Sequence, residues 1–139
     1  QSSQPIPQAV YTDPPLASAG LGEAAARERH GSKVQTAVWG FDYNDRAIAE
    51  RDTRGGIKLV IGKGGKIVGA HAAGARADDL IQIVSGVMAR GGGVRDLTIP
   101  VAPYPTRGEA IKRAAGKHFE PVVFGPFAKA WAGLQSVFH

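Results

Sequence analysis

The chain has 139 residues, 43% of them hydrophobic, with a formal charge of +5 and an isoelectric point near 9.8. That length supports one domain with a real core and is too short for two full nucleotide-binding domains. Cysteine is absent, which excludes disulfides, thiolate metal sites and a redox dithiol from this chain, and no apolar run approaches the roughly 20 residues of a membrane-spanning helix.

Residues 1–8 are polar and proline-rich and read as a linker. No signal peptide and no initiating Met are visible, and Gln1-Ser2-Ser3-Gln4-Pro5 reads as the end of a longer polypeptide. Lack of Cys favours a reducing compartment, so the cytoplasm is the expected location. Ala9 to Thr12 can form a short strand. Asp13-Pro14-Pro15 is a turn, since proline fixes φ and denies helix to the residue before it. Gly22 to His30 is rich in helix formers, and Gly31 suits its C-terminal cap. Between Lys33 and Phe41, Val34, Thr36 and Val38 alternate with Lys33, Gln35 and Ala37, the period of a half-buried strand. Asn44 to Glu50 is too short and polar to assign.

Ile57-Lys58-Leu59-Val60-Ile61 and Ile67-Val68-Gly69-Ala70-His71 flank Gly62-Lys63-Gly64-Gly65, which predicts a hairpin. A phosphate loop would need a helix after the glycines and a Lys-Ser/Thr end, and here a strand follows. Asp78 to Arg90 places Leu80, Ile81, Val84, Val87 and Met88 at helical spacing, with Asp78 and Asp79 in the favourable first turn. Gly91-Gly92-Gly93 ends that helix, and Val94 to Ile99 forms a turn. Pro105 to His118 is the next predicted helix, apolar at Ala110, Ile111, Ala114 and Ala115. In the extension 119–139, Phe127, Trp131, Leu134 and Phe138 fall on one helical face that could dock on this domain, on another domain or on a membrane surface. The fold expected from these elements is α+β, an antiparallel sheet with helices packed on one side.

The stretch Ala102-Pro103-Tyr104-Pro105-Thr106-Arg107-Gly108-Glu109 reads locally as a helix start. Pro105 suits the first turn, and Thr106 with Glu109 has capping-box spacing. The basic residues are scattered, without a run that interleaves aromatics, so nucleic acid is not an expected partner. His30, His71, His118 and His139 show no metal-ligand spacing. No Gly-x-Gly-x-x-Gly fingerprint opens a helix after a strand, so the chain by itself is not expected to bind a dinucleotide through that motif.

A set of fragments now stands in order. These are Val10-Tyr11-Thr12-Asp13-Pro14-Pro15-Leu16-Ala17-Ser18-Ala19-Gly20-Leu21, Asn44-Asp45-Arg46-Ala47, Gly56-Ile57-Lys58-Leu59-Val60, Gly69-Ala70-His71-Ala72-Ala73-Gly74, Asp79-Leu80-Ile81-Gln82 and Tyr104-Pro105-Thr106. Together they resemble the C-terminal dimerisation domain of the FAD-dependent pyridine nucleotide-disulfide oxidoreductases, of the dihydrolipoamide dehydrogenase and mercuric reductase type. The resemblance covers roughly residues 6 to 118. It implies a linker at 1–8, a dimerisation domain at 9–118 and an extension at 119–139.

The resemblance further implies a homodimer, with FAD- and NAD(P)-binding domains earlier in the same polypeptide. FAD and NAD(P)H would belong to the full-length oxidoreductase, with neither cofactor nor turnover expected of this fragment alone. In the family, the loop before the last helix carries His-Pro-Thr and a nearby Glu. The imidazole serves as acid and base toward the partner subunit's dithiol, and the Glu orients it. Here Tyr104 fills the histidine position, Ala102 a second histidine position and Glu109 the glutamate position. Tyr104 and Glu109 are therefore the candidate catalytic residues, and Tyr104 and Pro105 are expected to face the flavin of the partner. A phenol with an ordinary pKa near 10 is a poor base at neutral pH. Mercuric reductase carries a tyrosine here but also a C-terminal Cys pair, which this chain lacks. Two readings follow: a loop lent to the partner's active site, or a homodimerisation scaffold that has lost the dithiol histidine. A third, from charge alone, is a stand-alone basic binding module.

Overall fold

A computed structural model describes residues 5–123. Five antiparallel strands form one sheet in the order β1-β2-β5-β4-β3. The strands are β1 (Gln8–Val10), β2 (Leu16–Gly20), β3 (Gln35–Gly40), β4 (Gly56–Ile61) and β5 (Ile67–Ala73). The helices are α1 (Glu23–His30), α2 (Asp45–Ala49), α3 (Ala77–Ala89) and α4 (Glu109–Val123).

The hairpin at 57–71 forms as the alternation requires. Gly64 and Gly65 take φ of 70° and 77° in the turn, where a side chain would be strained. The central strands bury Ile57, Leu59, Ile61, Ala70 and Ala72 against α3 and α4. α3 contributes Leu80, Ile81, Val84 and Val87, and α4 contributes Ala110, Ile111, Ala114 and Ala115. Alanines dominate α4's inner face, which lets the helix lie close to the sheet. The α+β architecture with α3 and α4 on one side of an antiparallel sheet is thus present. α1 adds a smaller cluster on the other face, where Ala26, Val34 and Val60 pack together. The salt bridge of Lys58 with Glu23 ties α1 to β4.

Three local features go beyond the sequence reading. Leu16–Gly20, quoted only as a fragment above, is a full strand between β1 and β5. In β3 the inward residue is Ala37 rather than Thr36 or Val38, and Val38 is exposed. Val34 precedes the strand and packs with α1, so its burial does not set the strand's phase. Asn44 to Glu50, left unassigned, holds α2, because the Asn44 side chain accepts from the Ala47 N–H at 3.1 Å and caps it.

α4 starts later than expected. Tyr104–Pro105 is a cis peptide, and helical residues begin at Glu109. The residues 106–108 lead in through bonds from Ala110 N to Arg107 O and Ile111 N to Gly108 O. Of the capping box, only the Glu109 half forms: its Oε2 accepts from Thr106 N at 3.4 Å. α4 also runs past His118 to Val123, and Phe119 packs on the core. Phe127, Trp131, Leu134, Phe138 and His139 lie outside the described residues.

Candidate functional site

The loop 98–108 runs from the end of α3's following turn to the start of α4, and it is presented to solvent. Ile99, Val101 and Tyr104 are all exposed, Tyr104 to 71%. An exposed loop of this composition would normally be loose. This one is held at three positions, Tyr104, Thr106 and Arg107.

The Tyr104 hydroxyl donates to Asp45 Oδ2 at 2.9 Å. The Thr106 carbonyl accepts from Asn44 Nδ2 at 3.0 Å, and the Thr106 N–H donates to Glu109. Arg107 is buried, with its Nε donating to Glu50 Oε2 at 3.0 Å and its Nη2 to the Asp52 carbonyl at 2.9 Å. Its guanidinium also lies over the Phe41 ring, 5.0 Å from the centroid. Asn44 and Asp45 open α2, and Glu50 closes it. The short helix is therefore a bracket for the loop.

Of the residues expected from sequence, Tyr104, Pro105 and Glu109 lie together at this loop. Tyr104 and Glu109 are not hydrogen-bonded to each other. Asp45 occupies the place beside the phenol that the resemblance gave to Glu109. The phenol is held above its ordinary value of 10.0, first by the Asp45 hydrogen bond, then by the Asp45 charge, desolvation and the charge of Glu109. Ala102 lines a groove of about 530 Å³ with Trp39, Glu109, Lys112, Arg113 and Lys117. Arg113 and Lys117 flank the Trp39 ring at 6.0 and 5.2 Å from its centroid.

Asn44, Asp45, Glu50 and Arg107 were not expected as site residues, although Asn44-Asp45 and Arg107 stand in stretches quoted from the sequence. The Asn44-Asp45-Arg46-Ala47 fragment was the available signal, and it does not pair Asp45 with Tyr104, 59 residues away.

The three histidines within the described residues take structural places. His30 ends α1, the ring Nε2 of His71 donates to the Leu21 carbonyl at 3.1 Å, and His118 stacks edge-on with Phe119. Burial lowers the His118 imidazole below its ordinary value. Among the described residues no three His, Cys, Asp or Glu side chains gather as a metal site, and no helix is long and apolar enough to cross a membrane.

The sheet face opposite α3 and α4 is open beyond α1. A second groove of about 580 Å³ there is lined mainly by apolar atoms, with Val10, Leu16, Val38 and Ala73 around Lys58 and His71.

Comparison with known proteins places this geometry. Residues 6–115 match the pyridine nucleotide-disulphide oxidoreductase dimerisation domain. The chain is 38% identical over 113 residues to a dihydrolipoyl dehydrogenase of Synechocystis, covering 78% of this chain and 24% of that protein. It is 39% identical over 111 residues to a mercuric reductase of Lysinibacillus sphaericus, covering 79% of this chain and 20% of that protein. Among solved structures, the HOCl-induced flavoprotein disulfide reductase RclA from Escherichia coli superposes with a TM-score of 0.76 at 27% identity, over 81% of this chain and 26% of that one. The chain thus spans about a quarter or less of the length of these relatives.

Proposed function

This chain belongs to the pyridine nucleotide-disulphide oxidoreductase dimerisation-domain family, and from that premise we propose that it assembles a homodimeric flavin-dependent NAD(P)H oxidoreductase and lends its Tyr104-Pro105-Thr106 to Glu109 loop to the partner subunit's active site. The unit is residues 9–118, preceded by a linker at 1–8 and followed by an extension that begins within α4. FAD and NAD(P)H are held by domains earlier in the same polypeptide.

One observation carries the reading. The loop displays Val101 and Tyr104 to solvent while four polar tethers hold its backbone and side chains still. Rigid presentation of apolar and aromatic groups suits a surface that another protein face covers, because the ordering cost is met before association. The relatives named above are oxidoreductases, and two of them carry disulfide or dihydrolipoyl chemistry in their names.

The raised phenol favours a second reading. A tyrosine that resists ionisation does not replace an imidazole as base. The domain would then be a non-catalytic homodimerisation scaffold of a flavoprotein that has lost the dithiol acid/base histidine. A Cys-x4-Cys pair in the upstream FAD domain favours the first reading, and its absence the second.

Light scattering across a concentration series tests assembly by this chain, with a stable dimer expected. The loop assignment is tested by subunit complementation in the full-length protein. One variant is disabled in its flavin domain and the other carries Tyr104→Ala with Glu109→Ala. Mixed dimers with one intact composite site recover activity if the loop crosses to the partner. Absence of recovery beyond the parents' activity overturns that assignment.

A further inference from the structure

We propose that Asp45 is a positioning residue for this site, holding the Tyr104 hydroxyl by its proton so that the phenol oxygen is offered outward only as a hydrogen-bond acceptor. The inference deepens the partner-facing reading of the loop and rests on it.

The phenol has one proton and two lone pairs. Its proton is committed to Asp45 Oδ2 at 2.9 Å, and the rest of the ring is exposed. A tyrosine on an exposed loop otherwise exchanges between staggered rotamers. Here the ring tip is fixed by Asp45, and the backbone two residues later is fixed by its neighbour Asn44. Both tethers come from the first residues of α2, so the loop and the ring are aligned by one element.

The charges that face the phenol are both negative: Asp45 from α2 and Glu109 from α4. Among the described residues no cation donates to its oxygen. An arriving group therefore meets a neutral acceptor backed by carboxylates. That arrangement takes a hydrogen-bond donor, such as a protonated thiol or an amide N–H, and disfavours a thiolate. It also removes the phenolate from use as a base at neutral pH. Where the resemblance places an orienting Glu109 behind an imidazole, this chain has an orienting Asp45 behind a phenol.

The test is carbon-13 NMR of tyrosine ring-labelled chain, titrated with base. The Tyr104 signal is identified by its loss in Tyr104→Phe. The expected result is a Tyr104 titration above that of free tyrosine, which moves down in Asp45→Asn and Asp45→Ala. The isosteric Asn removes the charge and keeps the shape, so an effect there without a change in melting temperature is not explained by a structural role. Glu109→Gln is expected to move it less than Asp45→Asn. An unshifted Tyr104 in the parent chain, or a titration that ignores Asp45→Asn, overturns the proposal. Should Asp45→Ala fail to fold, the isosteric Asp45→Asn alone decides it. No partner subunit enters this readout. Its failure removes the Asp45 assignment alone, and failure of complementation removes the partner-facing reading alone.

Discussion

The Asn44 carboxamide joins two elements that lie 62 residues apart, donating through Nδ2 to the Thr106 carbonyl at 3.0 Å while its Oδ1 caps α2 through the Ala47 N–H. Asn44 is buried, so neither bond is readily replaced by water. Asn44→Ala removes a cap and a buried long-range hydrogen bond, and the expected loss is about 2–3 kcal/mol. Asn44→Asp keeps the cap and loses the donor to Thr106. Urea unfolding of the two variants separates the terms, with Asn44→Asp also raising amide hydrogen exchange at Thr106, whose N–H donates to Glu109. Equal protection there in the parent and Asn44→Asp would refute the bracket role.

Arg107 completes the same bracket from the other side. Its guanidinium is buried between Glu50, the Asp52 carbonyl and the Phe41 ring, and its Nη1 has no partner. Glu50 and Asp52 are partly exposed and regain water when the arginine is removed. The cost of Arg107→Ala is therefore expected at about 2–3 kcal/mol, below that of a fully buried pair broken on one side. Arg107→Lys cannot reach both acceptors with one ammonium and is expected to recover less than half of it. Chemical denaturation at neutral pH checks both. A lysine variant as stable as the parent would show that only the charge matters.

Much of the sheet was legible because its strands obey simple periods. Ile57 to Ile61 and Ile67 to His71 alternate around glycines, and α3 repeats large apolar residues at helical spacing. β2 escaped because Ala17-Ser18-Ala19 has neither bulk nor β-branching, and its strand state is imposed by pairing with both β1 and β5. In β3, Val34 belongs to the packing of α1, so the alternation alone does not show which face is inward. The loop's identity was legible from Tyr104-Pro105-Thr106 and Glu109, but its support was not. Asp45, Asn44 and Glu50 act across 57 to 62 residues of chain, and single-sequence patterns carry no information on such pairs. Even Pro105, read as a first-turn helix residue, sits outside the helix once Thr106 to Gly108 bridge into it.

Acid should weaken the fold through two carboxylates. Glu23 lies below its ordinary 4.5 because Lys58, then Arg27, hydrogen-bond its ionised form. Glu50 is lowered likewise by Arg46, then Arg107. A carboxyl lowered in the folded state adds stability that is fully present above its unfolded value. That stability is lost as the pH falls through the folded value. The urea midpoint should therefore drop as pH falls below 4.5, and Glu23→Gln with Glu50→Gln should flatten that drop. Both groups are solvent-accessible, so added salt should shrink the difference. An unchanged acid profile in the double variant would assign the pH dependence to other groups.

Two glycines offer opposite outcomes from the same substitution. A Cβ at Gly69 would lie 1.9 Å from the Leu21 carbonyl oxygen. That oxygen cannot retreat easily, since Leu21 N donates to the Val68 carbonyl at 2.9 Å and His71 donates to Leu21 O. Gly69→Ala must therefore push α1's leading segment off the sheet, and the expected loss is about 3 kcal/mol. Gly86 lies on the exposed side of α3, and a Cβ there meets nothing within 4 Å. Gly86→Ala lowers the entropy of the unfolded chain without a clash and is expected to add about 0.5–1 kcal/mol. Thermal melts of the two variants beside the parent give the comparison directly. If Gly86→Ala instead destabilises the chain in proportion to protein concentration, that side of α3 is covered by another molecule in solution, and the same melts locate an interface.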